Sequence, residues 1–134
     1  MITTGQINYN DGSTVCRAFI AYNLHSSSPV PAVMVAHDWG GRGDDACKKA
    51  KELALLGYVG FAIDMYGNAK TATEKAEKRA LMAPLVNDRQ KLVNRIRAAF
   101  EALLQLPQVD KKKYCCNWLL FWWFMCIGFG SLRC

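Results

Sequence analysis

The sequence predicts an α/β fold in which an antiparallel hairpin is followed by parallel strands with flanking helices. Two short apolar runs, residues 30–36 and 58–63, have the length and continuity of strands that are buried on both faces. A helical pattern lies between them, and strand–helix–strand order favours a parallel sheet. The chain has 134 residues, of which 51% are hydrophobic, and this suits one packed domain.

The predicted hairpin opens the chain. Residues 6–9 alternate weakly between polar and apolar side chains, and residues 15–22 have the composition of a second strand. Asn10, Asp11 and Gly12 lie between the two strands and form a strong turn signal. An antiparallel pair joined by a tight turn is therefore expected before the first buried strand.

Three helices are expected after the strand at residues 30–36. The first covers residues 44–56, begins at an aspartate that can cap it, and has Gly57 where a left-handed C-terminal cap is expected. The second covers about residues 73–82. The third covers about residues 88–104 and is stopped by Pro107.

The composition changes abruptly after Lys113. Residues 1–113 hold 27 of the 28 charged residues, and residues 114–134 hold only Arg133. The second segment also holds four of the six cysteines and three of the four tryptophans. We therefore divide the chain into a partial α/β domain, residues 1–113, and an aberrant hydrophobic tail, residues 114–134.

Charge and cysteine spacing argue against several classes of protein. The formal net charge is +6, but the cations are spread among anions and the only cationic run is residues 111–113, so nucleic acid is not expected as a partner. No pair of cysteines has the spacing of a zinc site, and no metal or cofactor is expected. The first residues lack the basic start of a signal peptide, which favours a cytoplasmic protein with reduced thiols.

Polar residues follow both buried strands. His37, Asp38 and Trp39 follow the first strand, and Asp64 follows the second. Because ligands bind at the carboxyl ends of parallel strands, these positions are expected to line a site. For His37 we favour a local hydrogen bond over the role of catalytic base, and for Asp64 we favour capping of the next turn.

Three sequence segments, PAVMVAHDWGG, AKELALLGYVGFAIDMYG and LPQVDKKK, resemble the dienelactone hydrolase family in their residues and order. The resemblance runs from about Val30 to Lys113. It implies the N-terminal part of an α/β-hydrolase fold, truncated before the catalytic half. It also implies that the intact enzyme binds a small molecule, a lactone or small ester, as its substrate. The enzyme would hydrolyse this substrate through a Cys-Asp-His triad without a cofactor.

The resemblance also implies roles for individual residues. Trp39 offers a backbone N–H to the oxyanion hole, which stabilises charge that develops on the carbonyl oxygen. Asp38 matches an acidic position near the nucleophilic thiol, where the family commonly has the longer Glu. No position matches the Arg and Tyr with which the family binds a substrate carboxylate, and Arg79 is considered for the Arg without a motif to support it. Neither Cys16 nor Cys47 occupies a nucleophile elbow, and the nucleophile and the triad Asp and His are absent from the chain.

The genetic code offers an explanation for the missing elbow. Lysine codons are AAA or AAG, so three in a row form a near-homopolymer of A that is prone to slippage. Reading moved forward by one base changes each Trp of the tail to Gly. Positions 118 and 122 then become glycine and position 120 is compatible with cysteine, which restores a Gly-x-Cys-x-Gly elbow after a strand-like segment. A frameshifted or early-terminated, inactive hydrolase product is therefore expected.

An alternative function starts from the tail as written. Residues 114–132 carry no charge and have the length of a membrane helix, with lysines 111–113 as a cytosolic flank. This predicts a C-terminally anchored α/β protein, or incidental membrane association of the tail. A catalytically inactive α/β module that binds a partner is the third hypothesis.

Overall fold

The computed structural model of the chain describes residues 1–25 and 28–118, with residues 113–118 described by their backbone. The described residues first follow the predicted order, which is a hairpin, a strand, a helix, a strand and two helices, and a final strand that was not predicted for the chain as written comes after them. They are β1 (Ile2–Asp11), β2 (Thr14–Asn23), β3 (Val30–Ala36), α1 (Asp44–Leu55), β4 (Val59–Ala62), α2 (Lys75–Val86), α3 (Arg89–Leu104) and β5 (Val109–Trp118).

The strands form one sheet in the order β1-β2-β4-β3-β5. The hairpin strands pair antiparallel, and β2 pairs antiparallel with β4. Strand β3 pairs in parallel with β4 on one side and β5 on the other. The predicted α/β class, with an antiparallel hairpin leading into parallel strands, is therefore confirmed.

The two faces of the sheet are covered by different helices. Helix α3 places Leu92, Ile96 and Leu103 in the larger core, together with Met34 and Phe61 of the sheet. Helix α1 covers the other face with three buried residues at helical spacing, namely Ala46, Ala50 and Ala54. Small side chains on α1 allow its backbone to approach the sheet closely.

Two elements extend beyond their predicted limits. Strand β1 covers residues 2–11 rather than 6–9, because all of it pairs with β2 although half of its residues are exposed. Helix α2 ends at Val86 rather than near residue 82, and Pro84 lies in its last turn. Proline lacks a backbone N–H and so removes one hydrogen bond of the helix. The loss falls in the last turn of α2, and the helix ends two residues later.

Strand β5 crosses the point at which the composition changes. It runs from Val109 to Trp118, so the boundary predicted after Lys113 falls inside a strand, and the division into two segments stays a prediction. None of the helices formed by the described residues is long and apolar enough to span a membrane. Of the proposed span, residues 114–118 belong to β5 and residues 119–132 lie outside the described residues.

Replacing Gly60 by Ala should destabilise the fold, because a Cβ at this position of β4 would lie 2.2 Å from the carbonyl oxygen of Ala50 in α1. The helix would have to move off the sheet, and we expect the free energy of unfolding to fall by about 3 kcal/mol. The measurement is urea unfolding followed by circular dichroism. The control is Gly5→Ala, where the new Cβ would lie 3.7 Å from Ile20 Cγ2. Equal stability of the two variants would contradict the close approach.

Candidate functional site

The candidate site lies at the carboxyl ends of β3 and β4, where the sequence predicted it. Two loops meet there, residues 37–43 after β3 and residues 63–74 after β4. An isolated bridge joins Gly41 to Thr71, and the Ala72 amide donates to the carbonyl oxygen of Gly40 at 2.9 Å. The two loops therefore hold each other in place.

His37 is fully buried and is held between these loops. Its Nε2 accepts a hydrogen bond from the Met65 amide at 3.0 Å, so Nδ1 carries the proton and donates to the carbonyl oxygen of Asp38. Burial holds the pKa of His37 below its ordinary value, chiefly because the charged imidazolium would lose its hydration. The ring is a neutral link between two loops, as the preferred hypothesis expected.

The Asp64 carboxylate is fully buried at the end of β4 and accepts four backbone hydrogen bonds. Its Oδ2 accepts from the amides of Arg17 at 3.0 Å and Ala69 at 2.7 Å. Its Oδ1 accepts from the amides of Tyr66 at 3.2 Å and Gly67 at 3.1 Å. Asp64 therefore caps the turn that follows β4, as the sequence favoured, and also ties that turn to β2.

Two further side chains, Tyr9 of β1 and Arg95 of α3, hold the same loop. The Tyr9 hydroxyl donates to the carbonyl oxygen of Asp64 and accepts from its amide, both at 3.1 Å. Arg95 of α3 is buried, donates through Nη1 to the Met65 carbonyl oxygen at 2.8 Å, and pairs through Nε with Asp11 Oδ2 at 2.7 Å. The loop after β4 is thus joined to the hairpin and to α3.

Asp38 and Trp39 lie side by side at the end of β3. The exposed Asp38 side chain accepts a hydrogen bond from the Gly40 amide at 2.7 Å through Oδ1. The Tyr66 hydroxyl donates to the carbonyl oxygen of Trp39 at 2.7 Å. Lys78 Nζ lies 5.1 Å from the centre of the Trp39 ring, which is cation–π distance. The roles that the resemblance implies, an acidic group near the thiol for Asp38 and an oxyanion-hole N–H for Trp39, stay predictions.

An open cleft of about 470 Å³ borders Asp38 and Lys78. Its walls come from the loop after β3, the start of α1, the loop after β4 and α2. The side chains that line it include those of His37, Asp38, Arg42, Asp44, Asp45, Cys47, Thr71, Thr73 and Lys78. In the described part of the chain, no three His, Cys, Asp or Glu side chains are grouped to hold a metal ion.

Two other candidate residues of the sequence, Cys16 and Arg79, do not line this cleft. Cys16 is fully buried in β2, and burial raises the pKa of its thiol to about 11, so it is an inert thiol. Arg79, the candidate carboxylate ligand, is exposed on α2 and does not line this cleft. Arg42 and Lys78 also line the cleft but were not predicted from the sequence, because neither stands in a motif. For Arg42 the one signal in the sequence is its position directly after the polar turn that follows β3.

Known proteins match the chain by sequence and by structure. The model of the dienelactone hydrolase family matches residues 17–116. A solved structure named m3DLH is 28% identical with a TM-score of 0.85, and the match covers 90% of this chain and 50% of that one. A dienelactone hydrolase-like promiscuous phosphotriesterase from metagenomic libraries is 31% identical, with a TM-score of 0.85 and the same coverage, 90% and 50%.

A more distant structure, a dienelactone hydrolase from Anabaena variabilis, shares the fold. It is 13% identical with a TM-score of 0.56, and the match covers 87% of this chain and 50% of that one. The chain therefore spans about half the length of these solved relatives. No curated protein matches it.

Asp64→Asn should destabilise the chain strongly. An amide keeps one acceptor oxygen and turns an NH2 group toward backbone donors, so at least two buried N–H groups lose their partner and stability falls by about 3 kcal/mol. The control is Asp88→Asn at the start of α3, where the side chain accepts only from the Lys91 amide and asparagine caps equally well. Urea unfolding measures both variants, and a loss at Asp88 as large as that at Asp64 would refute the assignment.

His37 should make stability depend on pH. Its pKa is lower when folded than the ordinary value of 6.5, so the unfolded chain takes up a proton first as the pH falls. Stability is therefore full above about pH 7 and is lost below it, by up to about 1.4 kcal/mol per pH unit. Urea unfolding between pH 7.5 and 5.5 measures the slope.

The matched variants for this pH dependence are His37→Gln and His25→Gln, which replace the only two histidines of the chain. His37→Gln should remove most of the slope, whereas His25→Gln, at an exposed position, should keep it. A slope that survives in His37→Gln would assign the proton to another group.

Proposed function

We propose, from the premise that this chain belongs to the dienelactone hydrolase family, that its cleft is the oxyanion-binding half of a thiol hydrolase active site. The match over residues 17–116 establishes the membership. The reaction proposed for the complete protein is hydrolysis of a lactone or small ester. In this proposal the chain as written supplies one part of the site and lacks the nucleophile.

In this proposal, the contacts of the loop after β3 fix the direction of the Trp39 backbone N–H. Trp39 follows the buried strand by three residues, and its carbonyl oxygen is held by the Tyr66 hydroxyl. The bridge between Gly41 and Thr71 restrains the far end of the same loop. A backbone N–H of Trp39 that is fixed before the substrate arrives can stabilise the oxyanion without reorganisation.

The register of β5 is the observation that carries the proposal. Ala36 of β3 pairs with Trp118 of β5, so the two parallel strands end at the same edge of the sheet. Trp118 therefore lies at the same edge of the sheet as the loop of Asp38 and Trp39, and we propose the nucleophile of the complete protein just after it. In an α/β-hydrolase the nucleophile stands on such a turn between strand and helix.

The adjacent reading frame is compatible with a nucleophile at that point. Shifted by one base after the lysine codons, Trp118 and Trp122 become glycine codons, and position 120 is compatible with cysteine. We infer that the gene encodes Gly-x-Cys-x-Gly there and that the triad Asp and His follow in the same frame. The tail as written, from Tyr114, is then a frameshifted product.

The proposed chemistry is acyl transfer through sulfur. The thiolate attacks the carbonyl carbon, the C–O bond of the lactone or ester breaks, and the alkoxide leaves with a proton from the histidine. The histidine then takes a proton from water, which attacks the thioester; the C–S bond breaks, and the acid and the thiolate are released. The Trp39 N–H stabilises the oxyanion in both steps, and Asp38 lies at the entrance of the cleft as a candidate partner of the resting thiol.

The chain as written should not hydrolyse esters above background. It lacks an activated nucleophile, and an oxyanion hole alone does not replace one. The assay is release of nitrophenol from p-nitrophenyl acetate, with the burst used to count active sites. A chain with the frame restored should give one burst equivalent per molecule. A stoichiometric burst from the chain as written would overturn the claim of inactivity.

In the restored chain, Trp39→Pro should lower kcat by about 100-fold or more, because it removes the backbone N–H that stabilises the oxyanion. Trp39→Phe keeps that N–H and should retain most of the activity. Circular dichroism confirms that both variants are folded. An equal loss in the two variants would point to the ring of Trp39 instead of its amide.

Sequencing of the coding DNA tests the frame directly. One base more or fewer in the codons of residues 111–113, with the elbow and the later Asp and His in frame, is the expected result. An unchanged frame would contradict the frameshift and leave the hydrophobic tail as a real part of the protein.

A further inference from the structure

Two residues of the cleft have no part in the proposed hydrolysis. Arg42 comes from the loop after β3, and Cys47 lies in the first turns of α1. The guanidinium Nη1 of Arg42 donates a hydrogen bond to Cys47 Sγ at 3.2 Å. Arg42 is only 8% exposed, which is unusual for an arginine, since a buried guanidinium normally pairs with a carboxylate.

The buried guanidinium has donor capacity that the described residues do not use. Its Nε is buried and has no hydrogen-bond acceptor in the part of the chain that the structure describes. A buried donor without a partner is destabilising, because it has given up its hydrogen bonds to water. Arg42 and Cys47 both line the cleft of about 470 Å³, so a small molecule that enters can meet the sulfur and the guanidinium together.

The charge around Cys47 is mixed, which makes the arginine contact decisive. Asp44 and Asp45 are exposed, line the same cleft and oppose negative charge on the sulfur. Arg42 is the cation in direct contact with the sulfur, whereas Lys78 lies against the Trp39 ring. A guanidinium at hydrogen-bond distance stabilises negative charge on sulfur far more than a distant cation does.

The two cysteines whose side chains the structure describes differ sharply. Cys16 has no exposed surface and its pKa is raised to about 11 by burial. Cys47 is partly exposed, lines a cleft and contacts a cation. A reactive thiol is characteristically accessible and electropositive in its surroundings, and a buried apolar one is inert.

We propose that Cys47 is a modification site, a thiol that forms mixed disulfides with small disulfides entering the cleft while Arg42 stabilises the charge on its sulfur. The Cys47 thiol first gives its proton to solvent. Its sulfur then attacks one sulfur of the incoming disulfide, a new S–S bond forms and the original S–S bond breaks. The other half leaves as a thiolate and takes up a proton. The bound half occupies the cleft beside Asp38.

The test is the rate of mixed-disulfide formation on the full chain with 2-hydroxyethyl disulfide. Samples are quenched with acid at intervals and mapped by mass spectrometry, since Cys16 and Cys47 fall in different tryptic peptides. In the folded chain, Cys47 should react at least about tenfold faster than Cys16, and about fivefold faster than Cys47 in urea at the same pH. A folded rate equal to or below the unfolded rate would overturn the proposal.

Matched variants then assign the effect to Arg42. Arg42→Gln should bring the Cys47 rate to that of the unfolded chain, whereas Lys78→Gln, which removes a cation of the same cleft that does not contact Sγ, should leave the rate unchanged. Protection of Cys16 in the same map reports that each variant is folded. An unchanged rate in folded Arg42→Gln would overturn the role of Arg42. If that variant unfolds, the comparison of the original chain with and without urea decides.

Discussion

The geometry of the candidate site depends on the hydrogen bonds that the Asp64 carboxylate accepts from the backbone. Asp64 is fully buried, and its carboxylate gathers four backbone N–H groups, one from β2 and three from the turn after β4. That turn leads to Tyr66 and Thr71, which position the loop of Trp39 and Gly41. One buried anion therefore sets the direction of the backbone donors on which the hydrolase proposal rests.

The elements of this fold could be predicted from the sequence because local patterns encode them. The apolar run of β3 and the turn at Gly12 specify their structure within a few residues. The site could be located only to the ends of two strands. Its particular contacts join residues far apart in the chain, such as Arg95 with Asp11, and no local pattern reports such a pairing. Arg42 and Cys47 are only five residues apart, but their contact depends on the conformation of the loop after β3, which the sequence does not specify.

The family resemblance supplied what periodicity could not, namely a chemical role for the turn after β3. It is confirmed as far as family and fold, through the match over residues 17–116 and the likeness to solved relatives. The structure adds a physical reason to look just after Trp118 for the nucleophile. Ala36, the last residue of β3, pairs with Trp118 of β5, so Trp118 lies at the edge of the sheet where the loop of Asp38 and Trp39 begins.

The pair formed by Arg95 and Asp11 gives this architecture a particular response to ionic strength. Added salt screens an exposed ion pair such as Lys49 with Glu52, whose side chains are 40% and 49% exposed. It has little access to Arg95, whose side chain is 5% exposed. The hairpin turn, α3 and the loop at Met65 therefore stay joined in concentrated salt, and the shape of the cleft is decoupled from the ionic environment of the surface.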